Sequence, residues 1–252
     1  MKLTVVGLPL GNIEDITVRA LRVIFEADII LAEDTRNVFK LKSILRERFS
    51  SIILDLNILE KNGQKVYSYR DQNHNSSFPE ILKFTKENKE IILVSDAGMP
   101  TISDPGFKLV RDLIENGVEV DVFPGPTALD SALVISGLPT DSFIFLGFLP
   151  RENGKIKKAL VNALDSPAST IILYESPFRI LKTIEIIETI QEEIKINESQ
   201  NLKKKSSEIK VVAINDLTKK FQKTIRGSAI EILNEMRGKK IVGEWVILLS
   251  SK

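Results

Sequence analysis

The stretch Val94–Gly106, VSDAGMPTISDPG, follows the apolar run Ile91–Val94 and precedes a segment of helical apolar spacing that begins at Phe107. Four consecutive apolar residues, three of them β-branched, predict a buried strand. Two glycines, two prolines and two aspartates then predict a loop. Two more loops of this character, Gly7–Asn12 and Pro124–Thr127, also follow apolar runs. A chain that repeats strand, small-residue loop and helix is constrained towards an open α/β sheet, which places its ligand beyond the carboxyl ends of the strands.

Taken in order, Leu3–Val6 reads as a first buried strand. A helix follows, because Ile16, Ala20, Val23, Ile24 and Ala27 form one apolar stripe, and Asp15 or Thr17 can cap it. Ile29–Ala32 is a second strand that ends at Glu33-Asp34-Thr35-Arg36. That segment is either at the ligand side of the sheet or simply an acidic helix start complementing the dipole. Ser51–Leu54 is a candidate strand, Lys61–Ser77 a mobile polar loop with a turn at Asn62-Gly63, and Phe78–Asn88 a helix. Phe107, Val110, Leu113 and Ile114 mark a helix ended by Gly117, and Val118–Val122 is a strand. Ala128–Ser136 is a helix stopped by Gly137.

Alternation up to residue 123 predicts a mostly parallel sheet with helices on both faces, and the second half restarts at the strand Phe143–Gly147. We therefore expect two α/β domains, 1–123 and 124–252. In the second, Phe148–Lys158 reads as a loop carrying Arg151, Lys155, Lys157 and Lys158. Thr170–Tyr174 is a strand that runs into Glu175-Ser176-Pro177 and a helix with Ile180, Leu181, Ile184 and Ile187. Lys195–Lys210, with Lys203-Lys204-Lys205, reads as a solvated loop. Val211–Ile214 and Trp245–Leu249 are strands on either side of a helix at Ser228–Met236.

Composition narrows the chemistry. Lys+Arg is 35 against Asp+Glu 34, so an RNA ligand needs a local basic patch. The absence of cysteine excludes disulfides and thiolate catalysis and suits a reducing cytoplasm. The sole histidine, His74, reads as a solvated loop side chain; it leaves no Ser-His-Asp relay or multi-histidine metal site to build, so no metal is expected. No apolar run reaches membrane-spanning length, so no membrane association is expected. Gly7–Asn12 is not GxGxxG, and the Walker spacing is missing. Backbone recognition of a cofactor by the loops is the chemistry that remains.

The segments GLPLGNIEDITVRA, AEDTR, VSDAGMPTISDPG, PGPTAL, SGLPTDSFIFLGFLP and YESPFRI occur in the order found in one family. The chain resembles the bacterial small-subunit ribosomal RNA cytidine 2′-O-methyltransferases of the tetrapyrrole methylase superfamily, well over residues 3–182 and more loosely beyond. The resemblance implies two α/β domains of the tetrapyrrole methylase type, an active-site cleft between them that holds S-adenosylmethionine, and a homodimer. It implies donor contacts from Pro9 and Gly11, from Asp96, Ala97, Gly98, Met99, Thr101 and Ile102, from Thr127 and Ala128, and from Tyr174. Glu33, Asp34 and Arg36 would face the reaction, with Asp34 and Glu33 as candidate bases and Asp104 behind them. Arg36 and Arg179 would hold phosphate or orient the ribose. Arg151, Lys155, Lys157 and Lys158 would contact RNA, either free or in the assembled small subunit.

The chain departs from the family pattern on the substrate side. Arg70-Asp71-Gln72-Asn73 stands where relatives have a His-Glu-His-Asn-type segment, and Phe178 where they have histidine. Ile214-Asn215-Asp216-Leu217-Thr218-Lys219 replaces an Ala-Arg-Glu-Leu-Thr-Lys block, and Gln222-Lys223 replaces an acidic pair. Two other readings follow: a related enzyme with a tetrapyrrole or other small or protein acceptor, or a paralogue that binds S-adenosylmethionine or RNA without catalysis. The basic 151–158 segment favours RNA over a small acceptor.

Overall fold

The computed structural model of the chain describes residues 2–199 and 208–251, so the Lys203-Lys204-Lys205 run lies outside the described residues. It divides into two units, Met1–Thr127 and Ala128–Lys252. The division falls after 127 rather than 123 because the Pro124–Thr127 loop packs on the first unit, with Gly125 against the backbone of Gly7.

The first unit runs β1 (Lys2–Val6), α1 (Val18–Glu26), β2 (Ile29–Ala32), α2 (Thr35–Arg48), α3 (Ser50–Asp55), β3 (Lys65–Ser68), α4 (His74–Lys86), β4 (Ile91–Val94), α5 (Phe107–Glu115) and β5 (Glu119–Phe123). Its sheet has the order β3-β2-β4-β1-β5, and every pair is parallel. Helices cover both faces, which is why β2 and β4 are buried along their whole length and read as unbroken apolar runs. The pleat sends alternate residues to opposite faces. Val6, Ile30 and Ile92 pack with Leu21, Ile24 and Leu45, while Leu3, Leu31 and Leu93 pack with Ile81, Leu109 and Leu113.

Several local expectations are corrected. Ser51–Leu54 lies in helix α3, not a strand, and its apolar side chains are not a buried run: Ile52 and Leu54 are exposed. Lys61–Ser77 is not a loop throughout. Lys65–Ser68 joins the sheet as an edge strand on β2, and α4 starts at His74. The polar character of β3 suits an edge, which has only one strand neighbour to pack against. Thr17, not Asp15, caps α1, because Asp15 sits in a short 3-10 turn, Ile13–Asp15. In α5, Leu109 and Leu113 carry the buried face, whereas Phe107 and Ile114 are exposed. The turn at Asn62-Gly63 holds, with Gly63 at φ +74°.

His74 is buried, not solvated. Its Nδ1 lies 2.9 Å from the Tyr69 hydroxyl and its Nε2 lies 2.7 Å from Asp112 Oδ2. Burial of an imidazole is tolerable when both ring nitrogens are partnered, and these two partners supply that. The chain of three side chains pins the β3–α4 connection to α5.

The second unit runs α6 (Ala128–Ser136), β6 (Phe143–Phe148), α7 (Asn153–Leu164), β7 (Thr170–Glu175), α8 (Ile180–Ser199), β8 (Lys210–Asn215), β9 (Lys223–Gly227), α9 (Ala229–Met236) and β10 (Trp245–Ser250). Its sheet is mixed, in the order β6-β7-β10-β8-β9, and only β6 and β7 are parallel. The expected 148–158 loop becomes α7 from Asn153 on, which places Lys155, Lys157 and Lys158 on a helix. Lys195–Ser199 continues α8 instead of starting a loop. β9 has no apolar run to announce it; it is an edge strand held by its antiparallel pairing with β8.

Candidate functional site

All five strands of the first sheet run in one direction, so the loops after β1, β2, β3, β4 and β5 share its C-terminal edge. Three of them are tied into one knot. Leu8 N–H donates to the Gly98 carbonyl at 2.8 Å, and Gly98 N–H donates to the Leu8 carbonyl at 3.0 Å. Gly7 N–H donates to Phe123 O at 3.0 Å, and Gly125 N–H reaches Met99 Sδ at 3.3 Å. A Cβ on Gly125 would lie 2.8–2.9 Å from the Gly7 backbone, and one on Gly7 would lie 2.6 Å from Gly125 N. These glycines are needed because two loops touch backbone to backbone, not because a ligand must approach them.

Of the expected donor residues, Pro9, Gly11 and Asp96 line a cavity of about 230 Å³. Leu8, Leu10, Ile13 and Ser95 line it too, with Asn37, Val38, Leu41 and Ile44 from α2. Its lining is apolar with a few polar groups, which is the make-up of a small-molecule site. Its volume is below the roughly 300–1,000 Å³ of sites that enclose drug-sized ligands, so it can take one end of such a molecule. Ala97, Gly98, Met99, Thr101 and Ile102 follow along the β4–α5 loop, and Thr127 ends the first unit. Ser95 Oγ donates to the Ala97 carbonyl at 3.0 Å and shapes the first turn of this loop. In it Gly98, Thr101, Ser103 and Gly106 all have positive φ, Thr101 at +74°. A β-branched residue there carries strain of ~1–3 kcal/mol, and such strain concentrates at functional sites. Gly106 N–H donates to Asp71 Oδ1 at 3.2 Å, which joins the β3–α4 and β4–α5 loops.

The AEDTR segment divides its charges. Asp34 is the N-cap of α2 and accepts from Arg36 N at 2.9 Å, Nε at 3.0 Å and Nη2 at 2.6 Å. The Arg36 hydrogen bonds hold its carboxyl at a pKa of about 2. Asp34 thus caps a helix, and the cap follows the C-terminal end of β2. Glu33 is half-buried; its backbone carbonyl accepts from Ser68 Oγ at 3.2 Å and Arg70 Nε at 3.3 Å. Its carboxylate makes no hydrogen bond or ion pair among the described residues. Asp104 is half-buried in the β4–α5 loop.

In the second unit Ala128 starts α6, and Tyr174 sits near the end of β7 with its ring edge-on to Phe145 at 4.9 Å and Phe148 at 5.7 Å. Arg179, expected to hold phosphate or ribose, is turned inwards. Its Nη2 donates to the carbonyls of Leu149 at 3.0 Å and Pro150 at 2.8 Å, and lies 3.4 Å from Glu175 Oε2. Glu175 is buried and also accepts from Thr183 Oγ1 at 2.7 Å and Ser176 N at 2.8 Å. Arg179→Ala is expected to lower stability by ~2–3 kcal/mol, because it takes the donor from the carbonyl of buried Leu149 and the cation from beside the buried Glu175 carboxylate. Lysine should restore little of that, lacking the planar fork. Denaturant melts of the two variants check this; a loss of activity with unchanged stability would return Arg179 to a substrate role.

Of the four expected RNA cations, Lys155 pairs with Glu152 at 2.8 Å and Lys157 pairs with Glu193. Arg151 and Lys158 are exposed and make no ion pair among the described residues. Sequence reasoning missed Tyr69 and Asp112, took His74 for a solvated side chain, and named Arg70 and Asp71 only as departures from the family pattern. Each acts through a partner in another element, and no local pattern marks such a pairing. Among the described residues no group of three or more His, Asp or Glu is placed to hold a metal, and no helix is long and apolar enough to cross a membrane.

The family model described as Tetrapyrrole (Corrin/Porphyrin) Methylases matches residues 2–233. The chain is 38% identical to the Ribosomal RNA small subunit methyltransferase I of Thermotoga maritima, over 100% of this chain and 99% of that protein. It is 34% identical to the protein of the same name from Bacillus subtilis, over 98% of this chain and 74% of that one. Among solved structures it is similar in fold to a cobalt precorrin-4 methyltransferase of cobalamin biosynthesis (TM-score 0.63, 19% identity, 99% of this chain and 94% of that one). A uroporphyrin-III-C-methyltransferase from Thermus thermophilus has a TM-score of 0.59 at 15% identity, with 99% of this chain and 94% of that one covered. The parallel sheet with its knotted loops and these full-length matches together make the chain a member of the tetrapyrrole methylase family, grouped with its small-subunit ribosomal RNA methyltransferases.

Proposed function

We propose that this methyltransferase moves a methyl group from S-adenosylmethionine to the ribose 2′-hydroxyl of a cytidine in small-subunit ribosomal RNA, as a cytoplasmic homodimer acting on the RNA or the assembled subunit. The observation that carries the reading is the knot of the β1, β4 and β5 loops, which holds the proposed donor segments in one fixed arrangement, in a chain whose relatives are named Ribosomal RNA small subunit methyltransferase I. The cavity beside Pro9, Gly11 and Asp96 fits one end of the donor, with apolar walls and a carboxylate at its rim. Ala97, Gly98, Met99, Thr101 and Ile102 continue this wall, and Thr127, Ala128 and Tyr174 are the remaining donor contacts in the proposal.

When bound, S-adenosylmethionine supplies an electrophilic methyl group on a sulfonium centre. The chain's task is alignment, which accounts for much of the rate of an in-line displacement, and removal of a proton from a weakly acidic hydroxyl. Glu33 is the base in this reading, since its carboxylate is uncommitted, while Asp34 is locked to Arg36. Arg36 keeps Asp34 in place at the edge of the site, and Asp104 borders it.

Mass-spectrometric mapping of ribose methylation in small-subunit RNA from cells with and without this protein tests the proposal. One cytidine should lose its 2′-O-methyl group when the protein is removed. An unchanged map, with donor binding intact by calorimetry, would instead support a different acceptor or a non-catalytic paralogue.

A further inference from the structure

Phe178 is 95% exposed, more than any other large apolar side chain described. It is not a loose side chain at a loop tip. The turn that carries it is closed by Arg179 N–H and Ile180 N–H, both donating to Ser176 O at 3.1 Å. Behind it, Ser176 N–H and Thr183 Oγ1 fix the buried Glu175 carboxylate. The Arg179 guanidinium then clamps this turn to the carbonyls of Leu149 and Pro150. The clamp links the turn of Phe178 to the segment that leaves β6, between Phe148, the last residue of that strand and 57% exposed, and the exposed Arg151. Both segments leave the C-terminal ends of β6 and β7, the parallel pair of the second sheet. In parallel α/β sheets that end is where ligands are received.

Two exposed aromatic rings and an exposed cation on two segments joined by one clamp have a specific chemistry. An aromatic face stacks on an unpaired nucleobase, and a neighbouring guanidinium takes the phosphate. The charge distribution makes stacking the more necessary contribution. Lys155 and Lys157 are tied to Glu152 and Glu193, so the segment 151–158 offers fewer free cations for phosphate than its four basic residues suggest. We propose that Phe178, supported by Phe148 and Arg151, is a stacking platform for an unpaired base of single-stranded RNA, and that Arg179 is the positioning residue that holds it out. This rests on the ribosomal RNA reading given above and adds the residue that grips the substrate.

The test uses the full chain and a single-stranded fragment of small-subunit RNA that spans the methylated cytidine and carries 2-aminopurine, whose fluorescence is quenched when it stacks on an aromatic ring. Phe178→Ala is expected to weaken RNA binding about 5- to 150-fold, the range found when a stacking ring is removed, and to lose the quenching. Phe178→Trp and Phe178→Tyr should restore both, with donor affinity by calorimetry unchanged throughout. An RNA affinity for Phe178→Ala equal to that of a wild-type chain that methylates its RNA would overturn the platform and leave the activity standing. Sedimentation supplies a second route to rejection: a Phe178→Ala chain that falls from dimer to monomer would make this face a contact between copies. A wild-type chain that neither binds nor methylates the RNA would sink both the platform and the reading beneath it.

Discussion

Gly125→Ala is expected to weaken S-adenosylmethionine binding by about 100-fold or more and to lower stability by ~1–3 kcal/mol. The three heavy atoms nearest the new methyl all belong to the backbone of Gly7, at 2.8 to 2.9 Å. No side chain can swing aside, so one loop has to move away from the other. Gly7 is held by Phe123 O, and the adjoining Leu8 is bonded in both directions to Gly98. The displacement therefore spreads to the β4–α5 loop, where a shift of about 1 Å in positioning can cost on the order of 100-fold. Calorimetric donor titration and a thermal melt measure the two effects. Gly154→Ala is the matched control: its methyl would meet nothing within 4 Å, and the residue lies in helix α7. It should raise stability by up to about 1 kcal/mol and leave donor affinity alone. Equal outcomes for the two alanines would show that the contact between the glycines does not hold the loops.

Glu33→Gln is expected to slow single-turnover methylation by about 10²–10⁴-fold with little change in donor affinity, the usual contribution of a positioned base. Asp34→Asn should do much less to the chemical step. Its carboxyl is held at about pKa 2 by the side-chain and backbone hydrogen bonds of Arg36, and so weak a base gains little by accepting a proton. The sign for stability follows from that depression. A carboxyl with a folded pKa below its ordinary 3.8 contributes stability that is present above the ordinary value and is lost as pH falls towards 2. Asp34 is thus ionised at every pH at which the enzyme works, and no acidic limb of its pH–rate profile should come from it. Single-turnover rates of both variants across pH decide the matter. A larger loss for Asp34→Asn than for Glu33→Gln would exchange their roles.

These expectations depend on features with very different visibility in the sequence. Strands β1, β2, β4, β7, β8 and β10 were legible because burial on both faces of a sheet demands continuous apolar runs. The edge strands β3 and β9 were not, because they carry Lys65, Ser68, Lys223 and Arg226 and owe their existence to pairing, whereas the other two edges, β5 and β6, were read from their apolar residues. Ser51–Leu54 shows the opposite failure. An apolar run without a buried position to fill became a helix with exposed Leu54. The loops after β1, β4 and β5 were recognisable as segments, yet Gly7 and Gly125 meet in a contact across more than a hundred residues of chain.

By itself the amino-acid order determined the α/β class, the alternation of strands and helices, and the small-residue loops after the strands, since these follow from local periodicity and backbone freedom. Only the tertiary structure decided what the polar side chains do. His74 is buried because Asp112, 38 residues away, accepts a hydrogen bond from its ring. Arg179 faces inwards because two carbonyls 29 and 30 residues earlier need a donor. The same clamp leaves Phe178 in solvent. A charged or hydrogen-bonding group is committed by whichever partner the fold delivers to it, and that partner is set by long-range packing that no local pattern encodes.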